Sequence, residues 1–262
     1  MTQGSVQITN AQYHKDPAIS ASMLKVMAKH GPKSYWNSFH NPDRPERKTT
    51  PALLLGSLTH AAILEPDDLE NQFSPCPNKK LKAGREEAER LKEKGITPVQ
   101  EDQWELAMAM RDSVYGDKEA KALLSKGVAE KSWWSVDEST SLDIKARSDW
   151  FTGTTIVDLK TSQGGVDPKE FAKTVANFQY HIQAAHYLEV TKAKRFVFLV
   201  VEKVFPFSVG IYELDEAALE EGLRLQNDAL ALIKSCHQNG KWPTYTDEIT
   251  SLSFPNWAFT SH

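Results

Sequence analysis

Along the first part of the chain, apolar positions recur at helical spacing between Gly and Pro breaks. Ser20 can cap a short helix to Lys29, with Met23, Leu24 and Met27 on one face and Gly31-Pro32 as its stop. A second helix follows through Tyr35 and Trp36. Beyond Pro42 and Pro45, the run from Pro51 to Leu64 is dense in Leu, Ala and Ile, which predicts a buried helix carrying His60 and ending at Glu65-Pro66. Asn78 to Lys94 alternates charges with little apolar content and predicts a mobile loop or an exposed helix. Thr97-Pro98-Val99-Gln100 has capping-box spacing with Pro at the first helical position, predicting a helix through Trp104, Ala107, Met108 and Val114. Another short helix closes at Gly127.

The periodicity then changes. Val128 to Val136, Leu142 to Trp150 and Thr155 to Thr161 are β-rich runs joined by polar turns, and three consecutive antiparallel strands are the economical reading. Pro168 to Ala176 and Tyr180 to Val190 have helical spacing. Arg195 to Glu202 is nearly continuous in apolar residues, as expected of a central strand, and Phe207 to Leu214 predicts one more. From Asp215, a plausible N-cap, a long amphipathic helix runs to Gly240. The expected class is α/β (α+β): a central mixed sheet containing an antiparallel three-strand meander, flanked by helices. A single domain is expected over residues 1–262, divided into a mainly helical part (1–127), a sheet core (128–214), and a final helix with its tail (215–262).

Composition changes this picture little. Hydrophobic residues make up 40% and charged residues 25% of the 262, ordinary globular usage that argues against wholesale disorder. Cys76 and Cys236 are the only cysteines, too few for a zinc site or an iron-sulfur cluster, and they suit a reducing compartment. Neither a signal-peptide pattern nor an apolar run near ~18 residues occurs, so a soluble, cytoplasmic protein without membrane association is expected. The net charge of -4 is unusual for a protein meeting nucleic acid, but its distribution is uneven. Residues 1–50 hold seven basic side chains (Lys15, Lys25, Lys29, Lys33, Arg44, Arg47, Lys48) against three acids (Asp16, Asp43, Glu46). Such a lobe fits a face that meets phosphate, and it fits an ordinary solvated surface equally.

Strand alternation puts Leu142, Ile144 and Ala146 on one side and Asp143, Lys145, Arg147 and Asp149 on the other. Asp158 and Lys160 are two apart and project together, opposite Val157 and Leu159. The spacing from Asp149 to Asp158 suits two strands of one hairpin, so two carboxylates and an ammonium converge. A divalent cation would justify the electrostatic cost, and Mg²⁺ commonly uses one or two carboxylates together with substrate phosphate. Alone, a DxK triplet on a strand is more often a solvated face. Tyr180, Gln183 and Tyr187 share a helical face that can look toward the same acids.

Three motifs, Arg147-x-Asp149, Ile156-Val157-Asp158-Leu159-Lys160-Thr161 and Tyr180-His181-x-Gln183-x-x-x-Tyr187, together resemble the RecB-type branch of the PD-(D/E)XK nucleases. Further motifs are Ile19-Ser20-x-Ser22-x-Leu24, Leu55-Gly56-Ser57-Leu58-Thr59-His60 with Leu64-Glu65-Pro66, and Leu252-Ser253-Phe254-Pro255-Asn256-Trp257-Ala258. With these, nearly the whole chain resembles the C-terminal nuclease domain of the RecE (exonuclease VIII) family and its phage relatives. The resemblance implies a restriction-endonuclease-like core with a catalytic set of Asp149, Asp158, Lys160, Gln183 and Tyr187. It implies a metal held by His60, Asp149, Asp158 and the Leu159 backbone carbonyl. Gln183 is expected to orient a water or a catalytic side chain and Tyr187 to contact phosphate. Arg147 and Tyr180 are further candidates for substrate phosphate, although a salt bridge explains Arg147 equally well. Glu130, on the first strand of the meander, could reach the site or a second metal and is left outside the metal set. Two departures stand out: Ser148 replaces the Pro of the family pattern, and the second acid is Asp158.

The implied activity is Mg²⁺-dependent exonucleolytic digestion of linear double-stranded DNA from its 5′ ends, with Mn²⁺ able to substitute, leaving 3′ single strands for recombination. Implied partners are double-stranded DNA ends, a RecT-like single-strand annealing protein, and further copies of the chain in a homo-oligomeric ring such as a tetramer. Rival readings are a structure-specific or restriction-type endonuclease of the same fold, and a catalytically idle DNA-binding or assembly module.

Overall fold

The computed structural model describes residues 4–45, 49–78, 80–246, 248–255 and 258–259. Glu46, Arg47 and Lys48 of the basic lobe, and Asn256 and Trp257 of the tail motif, lie outside the described residues. The chain runs β1 (Gly4–Val6), α1 (Asn10–Lys15), α2 (Ala21–Phe39), α3 (Pro51–Leu64), α4 (Leu69–Gln72), β2 (Phe73–Cys76), α5 (Lys82–Glu93), β3 (Thr97–Gln100), α6 (Glu101–Gly116) and α7 (Lys118–Leu124). It continues through β4 (Val128–Val136), β5 (Asp143–Phe151), β6 (Thr155–Ser162), α8 (Pro168–Asn177), α9 (Tyr180–Thr191), β7 (Arg195–Glu202), β8 (Val209–Tyr212) and α10 (Glu216–Asn239).

Six strands form one mixed sheet in the order β1-β4-β5-β6-β7-β8, and the meander β4-β5-β6 is antiparallel as expected. After β6 the chain crosses over through α8 and α9, so that β7 pairs parallel to β6. Helices cover both faces, which explains the unbroken apolar run of β7. On one face Val157, Leu159, Leu199 and Val201 pack against α3 and α6. On the other, Ile144 and Ala146 meet α2, α9 and α10, while Ile156, Phe196, Phe198 and Val200 meet α8 and α9.

Several local expectations hold for physical reasons that can be named. Gly31 takes a left-handed φ of 74° ahead of Pro32, so α2 is two helical pieces across a kink. Asp215 accepts the Ala218 N–H to cap α10, and Gly240 closes that helix in the left-handed region. Asn78 to Lys94 contains an exposed helix whose Ala88 and Leu91 pack on Cys76.

Two expectations are corrected. Thr97-Pro98-Val99-Gln100 is strand β3, not the opening of a helix; it pairs in parallel register with Phe73–Cys76, and α6 starts at Glu101. The fixed φ of Pro suits an extended chain as well as a first helical turn, and the pairing decides between them. The strand expected over Phe207 to Leu214 is confined to Val209–Tyr212.

Candidate active site

The site grows from a place where the sheet opens. Strands β5 and β6 pair at Trp150↔Val157 and Phe151↔Ile156, and continuing that register would set Asp149 opposite Asp158. The ladder ends there. The Leu159 N–H, one residue on, donates instead to Asp149 Oδ2 at 2.8 Å, and the Leu159 carbonyl meets His60 Nε2 at 2.9 Å. Helix α3, capped by the Thr50 side chain on the Leu53 N–H, packs on β5 and β6 and delivers His60 to the gap. Its Nδ1 lies 3.8 Å from Asp149 Oδ2.

A third acid faces this point. Glu130 falls between the register pairs Ala129↔Trp150 and Lys131↔Ser148, hence opposite Asp149, and its backbone takes a left-handed φ of 52°. Such a conformation is uncommon for a non-glycine residue inside a strand, and it breaks the ladder locally. Ligand atoms of His60, Glu130 and Asp149 all lie within 4.8 Å of one another. Two carboxylates and an imidazole at this separation can hold a divalent cation. His60 and Glu130 border a cleft of about 930 Å³ that also reaches Asn10, Ser57 and Glu65.

Asp158 is fully buried behind this cluster. Gln183 Nε2 donates to its Oδ1 at 2.6 Å, and Lys160 Nζ forms an ion pair with Oδ2. Burial raises the Asp158 pKa, with Lys160 opposing and Asp149 adding to the rise. Burial works against the Lys160 charge, yet Asp158 and Asp149 hold its pKa above the ordinary lysine value. Glu130 is pushed up to about 7 by burial and then by Asp149, against the pull of Arg147 and His60. The site therefore concentrates negative charge that a cation would neutralise.

The structure brings His60, Asp149, Asp158, Leu159, Lys160 and Gln183 together. Tyr180 joins them, with the Lys160 ammonium 4.8 Å from its ring centroid. Tyr187 is placed differently from the expected phosphate contact. It packs between β5 and β7 against Phe196, its hydroxyl meets the Arg147 backbone, and burial raises its pKa well above the ordinary value. Arg147 borders the cleft, but its guanidinium is spent inside the protein, on Glu130 Oε2 at 2.9 Å, the Ile8 carbonyl at 2.6 Å and Asn10 Oδ1 at 3.3 Å. It positions Glu130 and ties the N-terminal segment to the sheet, so most of its guanidinium bonding serves the protein's own structure.

Two residues escape the sequence pattern. Alternation cannot reveal the twist that turns Glu130 inward. Lys25, on α2, reaches the Tyr180 ring from a distant part of the chain, 5.2 Å from the ring centroid. Burial, then Lys160, lowers its pKa to about 8, while Asp158 pulls it back up.

A mixed sheet flanked by helices, with Asp149, Asp158 and Lys160 at its opening, defines the class as that of the PD-(D/E)XK nucleases. The chain belongs to the family described as a PDDEXK-like domain of unknown function (DUF3799), which matches residues 20–253. Among solved structures, a candidate exonuclease from Eubacterium rectale superposes with a TM-score of 0.64 at 17% identity, covering 95% of this chain and 97% of that one. This likeness shows a shared fold. A phage-related exonuclease from Haemophilus somnus 129PT matches at a TM-score of 0.38 and 11% identity over 87% of this chain and 100% of that one, too distant to carry an argument. No curated protein matches the chain.

Proposed function

We propose that the protein is a Mg²⁺-dependent deoxyribonuclease that digests linear double-stranded DNA from its 5′ ends and leaves 3′ single strands for recombination. The carrying observation is the buried Asp158–Lys160 ion pair set directly behind Asp149 and His60 at the sheet opening. Outside a catalytic setting this arrangement has little to recommend it, because burying charge costs more than an apolar packing of the same volume.

His60, Asp149 and Asp158, with the Leu159 carbonyl, are the proposed metal ligands, and Glu130 joins them on the geometry of its carboxylate. A Mg²⁺ ion held there would supply polarisation of a phosphoryl oxygen and activation of a water, and Mn²⁺ would suit the same carboxylate and carbonyl donors. The protein's own groups do the rest. Gln183 fixes the orientation of the Asp158 carboxylate. Lys160, charged and held by two carboxylates, lies where it can steady the attacking water and offset charge developing on the phosphate. Tyr180 supplies the face on which that ammonium rests. By the same resemblance, a homo-oligomeric ring and a RecT-like annealing partner are proposed. A ring would keep a chain of net charge -4 on DNA by topology, with basic residues confined to its channel.

The test is a time course on 5′-labelled and 3′-labelled linear duplexes beside a closed circular duplex, with Mg²⁺ or with chelator. The expected outcome is early release of the 5′ label, survival of the circle, and no reaction with chelator or with Asp158→Ala. Cutting of the circle would support an endonuclease instead. DNA binding without any cleavage would support an idle module.

A further inference from the structure

Helix α2 carries three lysines at successive turns, and they have different environments. The Lys29 ammonium donates to the Asn177 carbonyl at the end of α8, at 2.9 Å, an ordinary helix C-terminal contact. Lys33 lies over Trp36, 5.3 Å from the ring centroid. Lys25 instead points into the active site, sharing the Tyr180 ring with Lys160 at 5.2 and 4.8 Å from the centroid. Lys160 has Asp158 as its counter-ion, but among the described residues no carboxylate forms a salt bridge with Lys25.

An ammonium desolvated next to a like charge is unfavourable unless an anion arrives to balance it. A second positive feature lies at the same place. Tyr180 is the first residue of α9, whose N-cap, Gln179, is left-handed and makes no side-chain capping bond, so no capping side chain offsets the positive end of the helix. Two ammoniums and one helix start therefore meet around a single aromatic ring. The anion that fits is one the proposed substrate carries at every residue.

We infer that Lys25 holds a backbone phosphate next to the scissile one, forming with Lys160 a two-ammonium clamp on the strand being cut. The inference rests on the nuclease reading and deepens it, because it names a substrate contact supplied by the N-terminal helix. It also gives the basic excess of residues 1–50 a specific role at one side chain, whereas Lys29 and Lys33 of the same helix serve the protein's own structure.

The experiment measures initial rates of the full-length protein against linear duplex concentration at several salt concentrations, for wild type, Lys25→Met and Lys25→Arg. Melting temperatures are recorded for each, and Lys25→Gln takes the place of the Met variant if that one unfolds. The expected result for Lys25→Met is a KM about tenfold higher with kcat changed far less, and a slope of log KM against log salt reduced by about one. Lys25→Arg is expected to recover most of the KM and the whole slope, since it keeps the charge. A Lys25→Met protein that melts like wild type with unchanged KM and salt slope overturns the inference. A wild type that leaves DNA intact overturns the nuclease reading instead, so the two failures are distinguishable.

Discussion

Asp158 has no exposed surface, and what meets its two oxygens decides what its loss would cost. Gln183 serves one and Lys160 the other, so removing Lys160 leaves a carboxylate buried without its counter-ion. Lys160→Ala should therefore lose about 3–5 kcal/mol of stability as well as its activity. The double change Asp158→Asn with Lys160→Met removes both charges at similar volume and should recover most of that stability while cleavage stays at least ~10²-fold down. Urea unfolding and DNA digestion of the three proteins check this. A double variant as unstable as Lys160→Ala would mean that the pair is structural. At this scale Asp149, Asp158 and Lys160 were legible because strand alternation and hairpin spacing follow directly from the order of residues. The reach of Glu130 could be suspected but its place in the cluster was not legible, nor was that of Lys25, because one depends on a left-handed backbone and the other on the packing of α2 across α9. The environment of Arg147 was hidden for a related reason: its acceptors Ile8 and Asn10 come from a segment that reads as featureless.

Among the elements, those with strong periodicity or clear caps were legible, and those formed by pairing were not. The three meander strands, α8, α9 and α10 follow their patterns, with only end residues displaced. Strands β1, β2 and β3 are short and acquire their identity from partners far along the chain, which no local pattern encodes. The functional consequence of packing is clearest where α10 crosses α9. Gly222 lies so close that a Cβ built there would sit 2.3 Å from the His181 carbonyl oxygen, a backbone atom that cannot rotate away. Gly222→Ala must therefore push α10 off α9, whose first turns carry Tyr180 and Gln183. The expected cost is about 1–3 kcal/mol in unfolding, accompanied by loss of cleavage larger than the small stability change would cause at room temperature. If Gly222→Ala unfolds and cleaves like wild type, the position of α9 does not depend on this contact.

For the whole molecule, no helix among the described residues is long and apolar enough to cross a membrane, and one six-stranded sheet joins the residues whose titration bears on its stability. Its pH dependence joins two groups with opposite signs. His186 on α9 is fully buried, its Nε2 3.0 Å from the Lys145 carbonyl, and burial lowers its pKa to about 4. An unfolded histidine takes up a proton below about 6.5 while the folded one does not, so this residue's contribution is present above 6.5 and is lost as pH falls toward 4. Glu130 does the reverse. Its folded pKa is raised to about 7, so the folded protein keeps a proton that the unfolded chain releases above about 4.5, and stability falls as pH rises through that window. The two terms oppose each other between pH 4.5 and 6.5 when divalent cations are absent. His186→Gln leaves the Glu130 term alone, so its stability should rise by about 2–3 kcal/mol relative to wild type as pH is lowered across that range. Urea midpoints at several pH values check the difference, and parallel profiles for the two proteins would show that His186 is not held neutral by burial.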